Sequence, residues 1–387
     1  MSEHLQQQSH PYQNLFNIRT VTAFVPLQAY DEEGIKQLLQ AVQLIDSVKS
    51  ALQQEGYTVQ TSRIATNPFG EWLKHKDELY RLKQLMQEHR IDFCALGPAT
   101  SVAQVQEWVP QIIQTDYFSC SADLAATDNR MAHVLAECVQ DIARTNVLGN
   151  FRFAVAASVK AEIPFFPAAK AGHEPAFAIG LENGPLAQYL LQKCQQLSDL
   201  PDILRNGLTE ALLPVQEICE MVSQEQQWRF AGIDTSFNPS LEPEGSIATA
   251  LESLGHRIGG PGIVAVAAAV TKCLQSLPDI KRTGYCGIML PLCEDVRLVE
   301  HSLQGSLRIM DLLSISHVCG VGVDTVPIPG DVDSNELASL FLDVAAVADR
   351  WDKSLTCRVF PLTGKTAGEM TEFDIPQMIN AAILRLN

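Results

Sequence analysis

Two short runs set an acid and hydroxyls at the end of an apolar stretch: Gly232-Ile233-Asp234-Thr235-Ser236 and Gly322-Val323-Asp324-Thr325. A pair of carboxylates suits general acid–base chemistry, because two acids pressed together drive one pKa upward into a useful range. Residues two apart on an extended strand share a face, so Asp234 and Ser236 are expected to point the same way. They would serve as base and hydrogen-bond donor, or as oxygen ligands for a hard cation. Asp324 and Thr325 make the second such group. Asp331 closes the run Val326-Pro327-Ile328-Pro329-Gly330-Asp331, which reads as a turn stiffened by two prolines. Simpler roles account for the same residues: the strand-end acids satisfy nearby backbone, and Asp331 caps a helix.

Cations for an anionic substrate are available at Arg358, inside an apolar strand, and at Lys365 just beyond it. The loop from Ala157 to Pro167 carries Phe165 and Phe166 between prolines, with Glu162 before them and His173 after. These residues are candidates to line a pocket, or to plug one. Glu294-Asp295 stands at a helix start, where the helix dipole alone favours carboxylates. Gly259-Gly260-Pro261-Gly262 offers bare amides ahead of another helix. No GxGxxG after a strand, G-x-S-x-G, H-E-x-x-H or calcium-loop pattern is present, so no cofactor is assigned and the metal question stays open.

These groups sit on alternating strand and helix periods. Strands are expected at Arg19–Leu27, Tyr57–Ile64, Ile91–Leu96, Phe151–Ala157, Pro175–Leu181, Arg229–Asp234, Tyr285–Leu290, Val318–Asp324 and Leu355–Phe360. Between them fall helical stretches. From Asp31 to Gly56, Ile35, Leu38, Leu39, Val42, Ile45, Val48 and Leu52 share one face. Glu71–Arg90, Asp128–Arg144, Gly184–Gln227 with breaks near Pro201 and Pro214, Ser246–Leu254, Ile263–Leu274, Val296–Ile315, a helix opened by the capping box Asp333-Ser334-Asn335-Glu336 and ending at Arg350, and Ile375–Leu386 follow. Such alternation gives parallel strands with helices packed on the sheet, and the polar groups gather at the strands' carboxyl ends. No polar or Gly/Ser-rich linker divides the chain, so residues 15–387 are expected to form one unit after a polar tail over residues 1–14.

The chain has 387 residues, 46% hydrophobic and 19% charged, a globular mixture. Its net charge of −17 repels phosphate backbones and anionic bilayers, so neither nucleic acid nor membrane is an expected partner. A small-molecule ligand and a homodimer are expected instead, the latter from the prevalence of symmetric pairs. The ten cysteines include no C-x-x-C pair and read as reduced thiols of a cytoplasmic protein.

The runs GIDTSFNPSL, YCGIMLPLCED, GVGVDTVPIPGD and TCRVFPLTGK, in this order, resemble the domain-of-unknown-function 711 family, also called uncharacterised protein family 0210. IRTVTAF and FAVAASVKAEIPFFPAAKAG resemble its earlier blocks. The resemblance implies a pyruvate formate-lyase-like fold, a ten-stranded α/β barrel with helices packed outside. Glycyl-radical enzymes place Arg-Val-x-Gly near the carboxyl terminus. Here Arg358-Val359-Phe360-Pro361 has proline at that glycine, so radical chemistry is not expected. The resemblance carries no settled activity. The expected function is a non-radical enzyme on a small carboxylate- or carbonyl-bearing metabolite, worked by Asp234, Asp324, Ser236 and Thr325. Arg358, Lys365, Glu162, His173 and Asp331 would bind the substrate. The alternative is a metabolite-binding or regulatory protein on the same barrel.

Overall fold

A computed structural model describes residues 11–386. Nine strands form one sheet: β1 (Asn17–Val25), β2 (Val59–Thr66), β3 (Phe93–Ala99), β4 (Phe118–Asp123), β5 (Phe153–Ala157), β6 (Ala176–Glu182), β7 (Arg229–Asp234), β8 (Gly322–Pro329) and β9 (Leu355–Leu362). Their spatial order is β7-β6-β1-β2-β3-β4-β5-β9-β8. From β1 to β5 the strands run parallel and are joined by helices, as the alternation predicts. β6 and β9 flank this block antiparallel, and each has a parallel neighbour outside it, β7 and β8.

The helix Glu32–Gln54 shows how sequence builds the outer layer. Asp31 caps its first turn by accepting from the Gly34 amide at 3.0 Å, and Glu32 and Glu33 complement the positive end of the helix dipole. Leu38, Val42, Ile45, Val48 and Leu52, three or four residues apart, are buried against the sheet. Full burial of each contributes roughly 1.5–3 kcal/mol of apolar transfer.

The expected ten-stranded barrel is not what the ladders form: the sheet has nine strands and is not closed. The stretch expected as a strand at Tyr285–Leu290 is irregular, because Gly284 (φ +82°) and Cys286 (φ +47°) take left-handed conformations that no ladder accommodates. Its ladder pairing is reduced to isolated bridges, Ile233 with Arg282, Phe237 with Ile288, and Pro291 with Asp324.

Other boundaries shift for identifiable reasons. The expected Val296–Ile315 helix is two, Val296–Leu303 and Ile309–Ser316, interrupted at Gly305 (φ +64°). Pro327 and Pro329 belong to β8 itself and not to a turn after it, which an edge strand allows because one row of its amides needs no partner. Pro201 and Pro214 do not break the helix Leu200–Gln226; Pro201 lies in its first turn, and the break falls before it. β4 was not among the expected strands.

The terminal helix expected at Ile375–Leu386 is absent. Pro376 interrupts that run, and Asn380 Oδ1 accepts from the Phe373 amide at 2.7 Å and the Thr371 hydroxyl at 2.9 Å. The segment then joins β8 through the Leu384 amide and the Pro327 carbonyl, 2.9 Å apart. Of the expected tail, residues 1–10 lie outside the described residues. Gln13–Leu15 form a 3-10 turn, and the Tyr12 ring packs edge-on to that of Tyr189 at 5.8 Å.

Candidate functional site

The sheet curves around a cavity of about 320 Å³. Alternation along the strands selects its lining: Thr61 and Arg63 share one face of β2, and Thr356 and Arg358 share one face of β9. β1 adds Arg19, β3 Phe93 and β4 Ser119. Across from them stand Tyr285, Met289 and Pro291 on the irregular segment, Glu294 on the 3-10 turn Leu292–Glu294 that follows it, Asp324 on β8, and Phe165 and Phe166 of the Pro/Phe-rich loop.

Arg63 is buried and pairs with no carboxylate among the described residues. Its guanidinium packs beside two rings that meet edge-on, 5.1 Å from the centroid of Phe93 and 5.0 Å from that of Phe166. Its Nε donates to Thr61 Oγ1 at 2.9 Å. Burial first, and then the like charge of Arg19, press its pKa down to about 9, so it still carries its charge at neutral pH. Arg19 is held by Glu182 at 2.8 Å and by Gln60 at 3.1 Å. The Ser119 hydroxyl is buried with no hydrogen-bond partner among the described residues. A forked cation without a carboxylate partner can pair with a planar anion.

The opposite wall holds the acids. Arg358 grips Asp324 with two bonds, Nε to Oδ1 at 2.6 Å and Nη2 to Oδ2 at 3.0 Å. The same Nη2 lies 3.3 Å from Glu294 Oε1, and Nη1 donates to the Phe151 carbonyl at 3.0 Å. Burial pushes the Glu294 carboxyl above its ordinary value; Arg358 opposes this, and the Asp324 charge adds to it. Two carboxylates sharing one guanidinium, with one acid biased to keep its proton, can exchange protons with a bound ligand.

Glu294 owes its direction to its neighbour. Asp295 is fully buried and caps two helices: it accepts from Ser246, Ile247 and Ala248 at 2.7–3.1 Å, and from the Arg297 and Leu298 amides at 3.0 and 3.2 Å. Of two adjacent acids at one helix start, Asp295 meets the helix amides and Glu294 faces the cavity.

Of the residues singled out in the sequence, Asp324 and Arg358 come together in the cavity. Asp234 and Ser236 do not line it. Asp234 is fully buried, and its carboxylate accepts from Ser236 Oγ (2.6 Å) and from the amides of Ser236, Tyr285 and Cys286 (2.9–3.1 Å). Ser236 Oγ accepts in turn from the Gly287 amide at 3.0 Å. The pair therefore pins the irregular segment to β7, and the carboxylate that stands near Asp324 is Glu294. Thr325 turns the other way, accepting from the Cys293 amide at 3.3 Å. Lys365 pairs with Glu372 at 2.7 Å, and Glu162 pairs with Arg229 outside the cavity. His173 and Asp331 are exposed, and Asp333 supplies the helix cap instead.

Arg19, Arg63 and Tyr285 were missed. Arg358 stands out as a charge in a mostly apolar strand, whereas Arg63 follows Gln60, Thr61 and Ser62 in β2, so its charge carried no such signal. No group of three or more His, Cys, Asp and Glu converges as a metal cage among the described residues. No helix among them is long and apolar enough to cross a membrane.

Comparison with known proteins agrees with the resemblance. A protein from Pyrobaculum islandicum named UPF0210 protein is 25% identical over 368 residues, 88% of this chain and 81% of its own. One of the same name from Carboxydothermus hydrogenoformans is 23% identical over 399 residues, 92% and 88% of the two chains. A third, from Lachnospira eligens, is 26% identical over 285 residues, 68% of this chain and 62% of its own. The family model described as Uncharacterised ACR (DUF711) matches residues 12–374, nearly all of the described chain, and the protein belongs to that family.

Proposed function

We propose that the protein is a non-radical enzyme acting on a small carboxylate- or carbonyl-bearing metabolite held in the inner cavity. Arg63, with Arg19 and Ser119, receives the anionic group, Glu294 exchanges the proton, and the Arg358–Asp324 pair holds Glu294 in place. The observation that carries this reading is Arg63, a buried guanidinium with no ion-pair partner among the described residues. Such a charge is costly to keep unless a ligand pairs with it. In this reading the 282–291 segment acts as a tenth, discontinuous strand of a pyruvate formate-lyase-like barrel. Residues 15–387 act as one cytoplasmic unit, paired as a homodimer, with neither nucleic acid nor membrane as partner.

The test is a thermal-shift screen of small mono- and dicarboxylates and 2-oxo acids, followed by turnover assays on the hits. Arg63→Met is expected to lose the shift. Glu294→Gln is expected to keep binding and lose turnover. A carboxylate shift that Arg63→Met leaves intact overturns the assignment. A purely metabolite-binding role is favoured by one feature, the saturation of Asp324 by Arg358. It predicts ligand binding without turnover in the wild type.

A further inference from the structure

Opposite Arg358, β8 carries one residue too many. Val323 stands across from Cys357 and Val326 across from Val359, so Asp324 and Thr325 together face the single residue Arg358. Such a bulge is rare between parallel strands, and it turns side chains out of the ordinary alternation. Thr325 takes a left-handed conformation, φ +46°, which a β-branched residue adopts only when its surroundings impose it. It is fully buried. Two of its polar contacts lead to the two acids of the cavity. Its amide donates to Asp324 Oδ1 at 2.9 Å, the same oxygen that receives Arg358 Nε at 2.6 Å. Its hydroxyl oxygen accepts from the Cys293 amide at 3.3 Å, and Cys293 immediately precedes Glu294 in the turn Leu292–Glu294. The bridge between Pro291 and Asp324 ties the entry to that turn to the same bulge.

We propose that Thr325 is a positioning residue of the inner cavity: its bulge presents Asp324 to Arg358, and its hydroxyl fixes the turn that aims Glu294 at the same guanidinium. A glycine would take this conformation without strain but has no side-chain oxygen, so what the strained threonine adds is the acceptor for Cys293. Glu294 meets Arg358 through one oxygen at 3.3 Å, and a small displacement of the turn is enough to part them. The role rests on Glu294 and Asp324 serving as the acid pair of the proposed enzyme, but the coupling itself is read without any substrate.

The probe is the Glu294 carboxyl, titrated by carbon NMR of the full chain labelled at its glutamate carboxyls, with Glu294→Gln identifying the signal. The charges acting on it are Arg358, Asp324, Arg19 and Arg63, which every threonine variant keeps. Thr325→Val keeps the branched shape and leaves the Cys293 amide without its acceptor. Glu294 then slips off Arg358 while staying inside the cavity, and holds its proton more tightly. Its acid constant should fall about tenfold. Thr325→Ser keeps the hydroxyl and should titrate as the wild type does. Thr325→Gly, unstrained at this φ, also lacks the hydroxyl and should repeat the valine result even if Thr325→Val does not fold. An acid constant that is unchanged or raised in the folded hydroxyl-free variants overturns the proposal, whatever their stability, as does a fall in Thr325→Ser as large as in Thr325→Val. Loss of folding in both hydroxyl-free variants would make Thr325 a packing residue and overturn it as well. Failure of the wild type to bind or turn over any carboxylate would instead sink the enzyme reading and leave the titration result standing.

Discussion

Arg63 sets two free-energy terms against each other. Removing a guanidinium from water costs several kcal/mol, while each aromatic face returns about 0.5–2 kcal/mol. With Phe93 and Phe166 as its main compensation, the desolvation term is the larger in the ligand-free protein. Arg63→Met, similar in length and apolar, is therefore expected to raise stability by about 1–2 kcal/mol in urea denaturation while abolishing carboxylate binding. A variant both weaker in binding and less stable would make Arg63 a structural residue. Glu294 gives a pH signature. Its folded pKa lies above the unfolded one, so its stabilising contribution is complete below the ordinary carboxyl value, about 4.3, and is lost as pH rises through the folded value. Glu294→Gln should therefore gain on the wild type as pH rises from 4 toward 8, read as the difference between two melting curves. An anionic ligand beside Glu294 raises that pKa further. Wild-type affinity should accordingly fall with rising pH, and the variant's should stay level.

The element that matters most is the irregular segment 282–291, which places Tyr285 on the wall of the inner cavity. Gly284 belongs there because a Cβ would sit 2.1 Å from Asp234 Oδ2, so the segment packs against the carboxylate that holds it. Asp234→Asn leaves one acceptor oxygen for donors that now share two, and orphans at least one buried amide. The expected cost is about 2–4 kcal/mol, with faster hydrogen exchange at the Tyr285, Cys286 and Gly287 amides. Exchange unchanged at those amides would mean the segment is held by its flanking bridges alone. This segment also marks where reading the sequence stops working. Periodicity located eight of the nine strands, because buried alternation is a local signal; it missed β4, whose Ser119, Ser121 and Asp123 dilute the apolar run. It singled out Asp324 and Arg358, but Asp324 was expected at the end of a strand and lies near the start of β8, because the strand runs on through both prolines. It took Asp234 for a cavity acid because Gly-x-Asp-Thr looks alike whether its carboxylate faces a hollow or a neighbouring backbone. That choice depends on a segment some fifty residues away, which no local spacing encodes. Glu294 was hidden for a related reason: Asp295 satisfies the helix start, and adjacency in sequence concealed their opposite directions.

At the scale of the whole molecule, the field and the site disagree. A net charge of −17 surrounds an inner cavity whose unpaired charge, Arg63, is cationic. An anionic ligand approaching from bulk first meets repulsion over distances comparable with the Debye length, about 10 Å at 0.1 M salt, and attraction only inside the cavity. Salt screens the outer field strongly and the buried Arg63 contact weakly. For a dicarboxylate entering the inner cavity, the association rate should therefore rise as ionic strength goes from about 0.01 to about 0.15 M, while the dissociation rate changes little. Most charge-steered encounters behave in the reverse way, with salt slowing association. Stopped-flow measurements of association and dissociation across that range decide between the two. An association rate that falls with salt would mean that the local potential at the mouth, and not the net charge, governs entry.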